Sequence, residues 1–106
     1  MKIMTYNKLV RDKIPDIIEA DGKACVTEVL KDDRFLEMLD KKMEEELQEY
    51  YQSHDVEELA DLLEVIYAAA ASFGYNQEQM EEIRNRKVQK RGAFEKKLLL
   101  RSVTEK

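Results

Sequence analysis

The sequence "EEELQEYYQSHDVEELAD", residues 44–61, places acidic residues on both sides of one short polar connection. Apolar residues recur at helical spacing before it, from residue 35 to residue 50, and after it, from residue 59 to residue 70. Only a few residues around His54 separate the two patterns, and so short a link forces the two helices to run antiparallel. The stretch therefore predicts a helix hairpin, the basis of an all-α helical bundle.

Four acids of this hairpin are spaced to share one level. Glu46 and Glu49 are three residues apart on the first helix, and Glu58 and Asp61 are three apart on the second, so each pair shares a face. In an antiparallel hairpin, residues at one height have a nearly constant sum of residue numbers, and pairing 46 with 61 and 49 with 58 gives the same sum. If the pairs face each other, the four carboxylates repel one another unless a bound cation compensates their negative charge. Carboxylate oxygens are hard ligands, which suit Mg²⁺.

The spacing of these acids leaves two other interpretations open. Acids three residues apart arise by chance when 23 of 106 residues are Asp or Glu, and a run of charge is usually a solvated helix face. Glu58 also follows Asp55 by three residues, the spacing of a capping box at a helix start. A metal site, a solvated face and a helix cap are therefore all compatible with the pattern.

The segments around the hairpin carry weaker signals. Pro15 fits the first turn of a short helix that begins near Lys13 and ends before Gly22. β-Branched residues alternate in residues 24–30, and the apolar, basic residues 93–100 lack helical spacing. We therefore expect short extended segments at these two places.

Capping residues predict where the longer helices begin and end. Asp32 or Asp33 is the expected N-cap of the first hairpin helix. Asn76, with Gln79 three residues later, predicts a capping box at the start of a further helix that closes at Gly92.

Length and charge place further bounds on the protein. A chain of 106 residues is one domain, residues 1–106, with a modest core that is compatible with association into dimers or larger assemblies. Residues 84–106 hold nine Lys or Arg against two Glu, a local +7 in a chain of net charge −5. This asymmetry indicates acidic and basic surfaces that pair with each other or serve a ligand needing both, or a solvated basic tail. Nucleic-acid binding by the basic segment is disfavoured by the acidic remainder.

Several functional classes find little support in the sequence. No apolar run approaches the roughly 18 residues that span a bilayer, and the N-terminus lacks the apolar core of a secretion signal, so we expect a cytoplasmic protein without membrane contact. Cys25 is the single cysteine. His54 is the single histidine and lies in the turn, which argues against both a Glu-x-x-His di-iron bundle and a Ser or Cys nucleophile with a histidine base.

Motifs along nearly the whole chain carry a family resemblance. "EELQE" followed by "ELAD" resembles the EExxE and ExxD signature of the all-α nucleotide pyrophosphohydrolases related to MazG and to phosphoribosyl-ATP pyrophosphohydrolase. The opening "YNKLVRDKIPDII" and the closing "KRGAFEKKLLL" resemble the ends of one small-protein subgroup of that superfamily. Together these stretches reach from Tyr6 to about Leu100.

The resemblance implies roles for particular residues. The implied metal ligands, for Mg²⁺ or alternatively Mn²⁺, are Glu46, Glu49, Glu58 and Asp61. Glu45 would act beside Glu46 in catalysis by orienting the attacking water or an additional metal. The basic residues implied to meet a triphosphate are Lys87, Lys90, Arg91, Lys8, Arg11 and Lys13.

The resemblance also implies an activity and an assembly. The expected enzyme is a hydrolase that cleaves a nucleoside triphosphate between its α and β phosphates, giving a nucleoside monophosphate and pyrophosphate, in house-cleaning of the nucleotide pool. A homodimer or homotetramer is expected. Phosphoribosyl-ATP hydrolysis in histidine biosynthesis and a catalytically inactive helical protein-interaction module remain the alternatives.

Overall fold

A computed structural model describes residues 2–106, and within that range the chain forms four α-helices and no β-strand. The helices are α1 (Ile14–Ala20), α2 (Asp32–Ser53), α3 (Val56–Ser72) and α4 (Gln77–Arg91). The all-α class is therefore confirmed. Residues 24–30 lie outside the helices without pairing as a strand, and residues 93–100 are interrupted by a turn in which the Lys97 N–H donates to the Phe94 carbonyl.

The hairpin of α2 and α3 is the main packed unit. Its connection is two residues long: His54 ends α2 in the left-handed region with φ 53°, and Asp55 is the N-cap of α3. This tight turn lays α3 back along α2, and Leu39 of α2 and Val65 of α3 become the buried apolar residues of the described chain, 3% and 9% exposed. The predicted antiparallel hairpin is thus present, with a very small core.

Helix α3 has apolar residues on two sides, and α2 covers only one of them. Val65 is buried and Leu62 is half-buried, whereas Val56, Leu59 and Leu63 are exposed. Leu59 and Leu63 belong to the apolar pattern of residues 59–70 and are 43% and 45% exposed, so the hairpin alone does not bury them. Within the described chain, neither α2 nor α4 buries this second apolar side of α3.

The helix ends test the capping predictions. The capping box of α4 is confirmed, since the Gln79 N–H donates to Asn76 Oδ1 at 2.8 Å and the Asn76 N–H donates to Gln79 Oε1 at 2.9 Å. The predicted cap of α2 was wrong: Lys31 is its N-cap, and Asp32 and Asp33 lie in the first turn. Carboxylates there still interact favourably with the positive end of the helix dipole.

The remaining helices extend the molecule beyond the hairpin. Helix α1 begins after Lys13 with Pro15 in its first turn, as predicted, and α4 meets α3 through the Tyr67 hydroxyl, 3.0 Å from Glu81 Oε1. The described chain measures 71 × 32 × 22 Å with a radius of gyration of 18.8 Å, against about 13 Å for a compact domain of this length. No helix within residues 2–106 is long and apolar enough to cross a membrane.

Candidate metal centre

The hairpin brings three of the four predicted ligands together. Glu46 of α2 meets Glu58 and Asp61 of α3, and one carboxylate oxygen from each lies within 4.8 Å of the other two. Because the helices are antiparallel and joined by only two residues, position 46 is level with position 61, as the residue numbers predicted. These three side chains are called the carboxylate cluster below.

Glu49, the fourth predicted ligand, stands beside the carboxylate cluster. It lies one turn after Glu46 on α2, is exposed, and has no oxygen in the 4.8 Å group. Its negative charge nevertheless acts on Glu46, where it adds to the effect of burial in raising the pKa. The structure therefore shows a triad with a neighbouring fourth carboxylate, rather than the closed square that spacing allowed.

Glu46 is the buried member of the cluster. The residue is 7% exposed, and its Oε2 has no hydrogen-bond partner within residues 2–106, while its Oε1 lies 3.4 Å from Lys42 Nζ. Burial is the main cause that raises the pKa of Glu46, the neighbouring Glu49 raises it further, and Lys42 acts in the opposite direction. A buried carboxylate oxygen without a donor is costly, so this group favours either a proton or a bound cation.

Three basic side chains already offset part of the acidic charge. Arg11 Nη2 lies 2.7 Å from Asp61 Oδ1, and Lys8 Nζ lies 3.2 Å from Glu45 Oε1. Lys42 contacts both Glu45, at 3.5 Å, and Glu46. The repulsion within residues 44–61 is thus relieved partly by the chain itself, although Glu46 Oε2 is left without a partner among the described residues.

Lys42 is a site residue that the sequence prediction missed. Its position three and four residues before Glu45 and Glu46 is the spacing of ion pairs on a helix, so the signal was present in the sequence. Lys8 and Arg11 were predicted as phosphate contacts, and they do lie at the cluster, where they pair with carboxylates.

The capping interpretation of Glu58 is not the one that the structure adopts. The Asp55 carboxylate accepts from the Glu57 N–H at 3.0 Å, and the Asp55 N–H donates to Ser53 Oγ at 3.1 Å. Both partners of a capping box are therefore already engaged elsewhere. The Glu58 carboxylate is instead one of the three that converge in the cluster.

The other predicted phosphate-binding residues lie outside the cluster's ion pairs. Lys13 is the exposed N-cap residue of α1. Lys87, Lys90 and Arg91 are exposed toward the C-terminal end of α4, and none of them makes an ion pair in the part of the chain that the structure describes. Their predicted role in binding phosphate stays a prediction.

Comparison with known proteins gives a partial match. No family model matches the chain, and no solved structure matches it. An uncharacterized protein of Mycolicibacterium smegmatis (strain ATCC 700084 / mc(2)155) is 45% identical over 42 residues, which is 40% of this chain and 43% of that protein. The chain thus spans less than half the length of the curated relative that it matches, and the name of that relative states no activity.

Proposed function

We propose that the protein is a Mg²⁺-dependent nucleoside triphosphate pyrophosphohydrolase. Water would attack the anhydride between the α and β phosphates, the bond to the bridging oxygen would break, and a nucleoside monophosphate and pyrophosphate would leave. The observation that supports this most is the carboxylate cluster, in which a buried Glu46 oxygen has no partner among the described residues. The resemblance of its motifs to those of MazG-related enzymes supplies the reaction type.

The donor set of the cluster fits a hard divalent cation. Its ligand atoms are carboxylate oxygens, the ligands that Mg²⁺ prefers. Two oxygens on one Mg²⁺ lie no more than about 4.2 Å apart, since each bond is about 2.1 Å. The observed limit of 4.8 Å between the three oxygens is longer than this, so Glu46, Glu58 and Asp61 would have to draw together around a bound ion.

Different residues of the site would hold the metal and orient the attacking water. Glu46, Glu58 and Asp61 would hold the ion, with Glu49 next to them as a further ligand. The bound ion supplies positive charge to phosphate oxygens and lowers the pKa of a water. Glu45, whose carboxylate lies 3.2 Å from Lys8 and 3.5 Å from Lys42, would accept a hydrogen bond from an attacking water and so orient it.

The basic side chains at the cluster would bind the phosphates. The Lys8 and Arg11 side chains are 45% and 58% exposed, so little packing opposes their transfer from carboxylate to phosphate oxygens. Positive charge aimed at the phosphoryl oxygens is the principal electrostatic requirement of phosphoryl-transfer chemistry. Lys13, Lys87, Lys90 and Arg91 are the further candidates that the family resemblance supplies.

We also propose a homo-oligomer acting on the nucleotide pool of the cytoplasm. The radius of gyration of 18.8 Å and the two buried apolar residues of the described chain support association, since a single copy buries little apolar surface. The same exposed surface favours a second candidate function, a catalytically inactive helical module that binds other proteins.

The test of the activity is product analysis. Purified protein with Mg²⁺ is given a panel of canonical and modified nucleoside triphosphates together with phosphoribosyl-ATP, and pyrophosphate is scored against orthophosphate. Glu46→Gln is expected to abolish pyrophosphate release, because the amide removes one charged ligand. Glu44→Gln is the matched control, since Glu44 is an exposed acid of α2 outside the cluster, and it is expected to keep full turnover.

Two results would contradict the proposal. Pyrophosphate release by Glu46→Gln at the rate of the unmodified protein would show that the carboxylate cluster is not the site. No turnover on any substrate, together with no stabilisation by Mg²⁺, would favour the interaction module.

A further inference from the structure

Residues 93–103, the C-terminal arm, carry large apolar side chains that the described chain leaves uncovered. Phe94 is 96% exposed and Leu98 is 85% exposed, and the exposed run continues through Leu99, Leu100 and Val103. Within the described chain, the backbone hydrogen bond of the arm is the internal one from Lys97 to Phe94. So many adjacent apolar side chains on one arm are typical of a surface that binds another protein.

The hairpin carries an uncovered apolar surface of its own. Val56, Leu59 and Leu63 are 73%, 43% and 45% exposed. Their spacing of three and four residues puts them on one face of α3, and that face points away from Val65, which packs toward α2. These three residues are called the outer face of α3.

We propose that the C-terminal arm docks on the outer face of α3 in a second copy of this chain. In a two-fold dimer each copy would dock its arm on the outer face of α3 of the other copy. This exchange would cover the arm and the outer face of α3 in both copies. In a single copy, arm and outer face are both left exposed, although one chain carries both.

The described chain exposes more surface than a compact protein of its mass. The described chain exposes 10300 Å², whereas a compact 12.5 kDa protein exposes about 6,200 Å². The excess is about 4,100 Å² for each copy and therefore about 8,200 Å² for two copies, whereas an obligate interface buries roughly 2,000 to 5,000 Å² over both partners. The exposed surface is therefore larger than a stable dimer needs, and a dimer interface would remove part of the excess.

Charge favours a second copy as the occupant. The C-terminal arm has three Lys or Arg against one Glu, a net charge of +2, while residues 32–64, which form α2 and the first half of α3, have thirteen Asp or Glu against three Lys or Arg, a net charge of −10. Docking the arm on a hairpin thus brings opposite charges together, which speeds association and disfavours partners of the wrong sign. Each copy supplies both the acidic surface and the basic segment that it attracts.

The first experiment measures assembly and does not depend on turnover. Sedimentation velocity of the full chain is expected to show a dimer or a multiple of it. Leu98→Asp is expected to raise the dissociation constant by about 10- to 100-fold, the value of one buried Leu. Ser102→Asp is the matched control, because it adds the same charge to a polar position of the arm, and it is expected to assemble as the unmodified chain does.

Circular dichroism keeps this result interpretable. The helices of Leu98→Asp should give an unchanged spectrum, since the arm lies outside them; Phe94→Asp is a second variant that should dissociate in the same way. A monomeric unmodified chain, or a dimer that Leu98→Asp and Phe94→Asp leave intact, would overturn the proposal.

The second experiment distinguishes exchange from folding back. A photo-crosslinking residue at position 98 is placed in an equal mixture of isotope-labelled and unlabelled chains. Crosslinks that join a labelled peptide to an unlabelled peptide from residues 56–63 would support docking between copies. Crosslinks confined to one isotope, or crosslinks between copies at another surface, would overturn it.

Discussion

Replacing Glu46 by Gln should change the stability of the protein in opposite directions with and without Mg²⁺. The carboxylate is 7% exposed and its Oε2 has no partner within the described residues, a cost of about 1 to 3 kcal/mol for a buried unsatisfied group. The amide removes that charge and its repulsion by Glu49, but it also loses the ion pair with Lys42 at 3.4 Å, worth about 1 kcal/mol. Without metal we therefore expect the variant to be more stable by about 1 kcal/mol.

Bound Mg²⁺ should make the unmodified protein more stable than Glu46→Gln. An ion that binds only the folded state stabilises it by about 2.7 kcal/mol at a concentration of 100 times Kd. The unmodified protein should gain that amount, and Glu46→Gln should gain much less because it has lost a charged ligand. Urea unfolding followed by circular dichroism, at one fixed protein concentration with EDTA or with Mg²⁺, measures both differences. Glu44→Gln should stay within about 0.5 kcal/mol of the unmodified protein in both conditions, as exposed substitutions usually do.

The same pair of proteins predicts a pH dependence. Burial raises the folded-state pKa of Glu46 above its ordinary value of 4.5, so the folded protein binds this proton more tightly than the unfolded chain does. In EDTA, the stability of the unmodified protein relative to Glu46→Gln should be highest below pH 4.5 and should fall as the pH rises through the raised pKa. A variant that is less stable than the unmodified protein in EDTA at neutral pH, with no response of either to Mg²⁺, would refute the reasoning.

Three further predictions concern the ion pair, the core and the helix cap. Arg11→Ala removes the cation 2.7 Å from Asp61 Oδ1, which competes with Mg²⁺ for that carboxylate. Calorimetric titration should therefore show a Kd for Mg²⁺ that is lower by about two- to fivefold, the value of an exposed ion pair. Arg11→Lys keeps the cation and should bind Mg²⁺ as the unmodified protein does. Leu39 is 3% exposed, and Leu39→Ala leaves a cavity in its place that should lower the free energy of unfolding in urea by about 2 to 5 kcal/mol. A loss below about 1 kcal/mol would contradict the assignment of Leu39 to the core. Asn76→Ala removes the capping box of α4 and should cost about 1 kcal/mol, with faster amide hydrogen exchange confined to the first turn of α4.

The carboxylate cluster shows how an acidic hairpin stays folded. Lys42 pairs with Glu45 and Glu46 from one turn earlier on the same helix, while Lys8 and Arg11 reach the acids from the segment before α1. These contacts compensate the exposed part of the charge and leave the buried Glu46 oxygen for a ligand. In the proposed enzyme, the same cations would lie next to both the metal and the phosphates.

The features that could be predicted from the sequence are local ones. The hairpin follows from apolar spacing on both sides of a short polar link, and the capping box of Asn76 follows from residues three positions apart. The common level of Glu46 and Asp61 follows from the antiparallel direction that the short link imposes. All of these depend on residues close together in the chain, whose geometry the helix sets.

Burial and long-range pairing depend on how the helices pack and could not be predicted from the sequence. Lys8 and Arg11 meet Glu45 and Asp61 across 37 and 50 residues, a distance over which periodicity carries no information. The rotation of α2 against α3 decided that Glu46 is buried while Glu49 is exposed. The same rotation turned the outer face of α3 away from α2, because two packed helices cover only one side of each other.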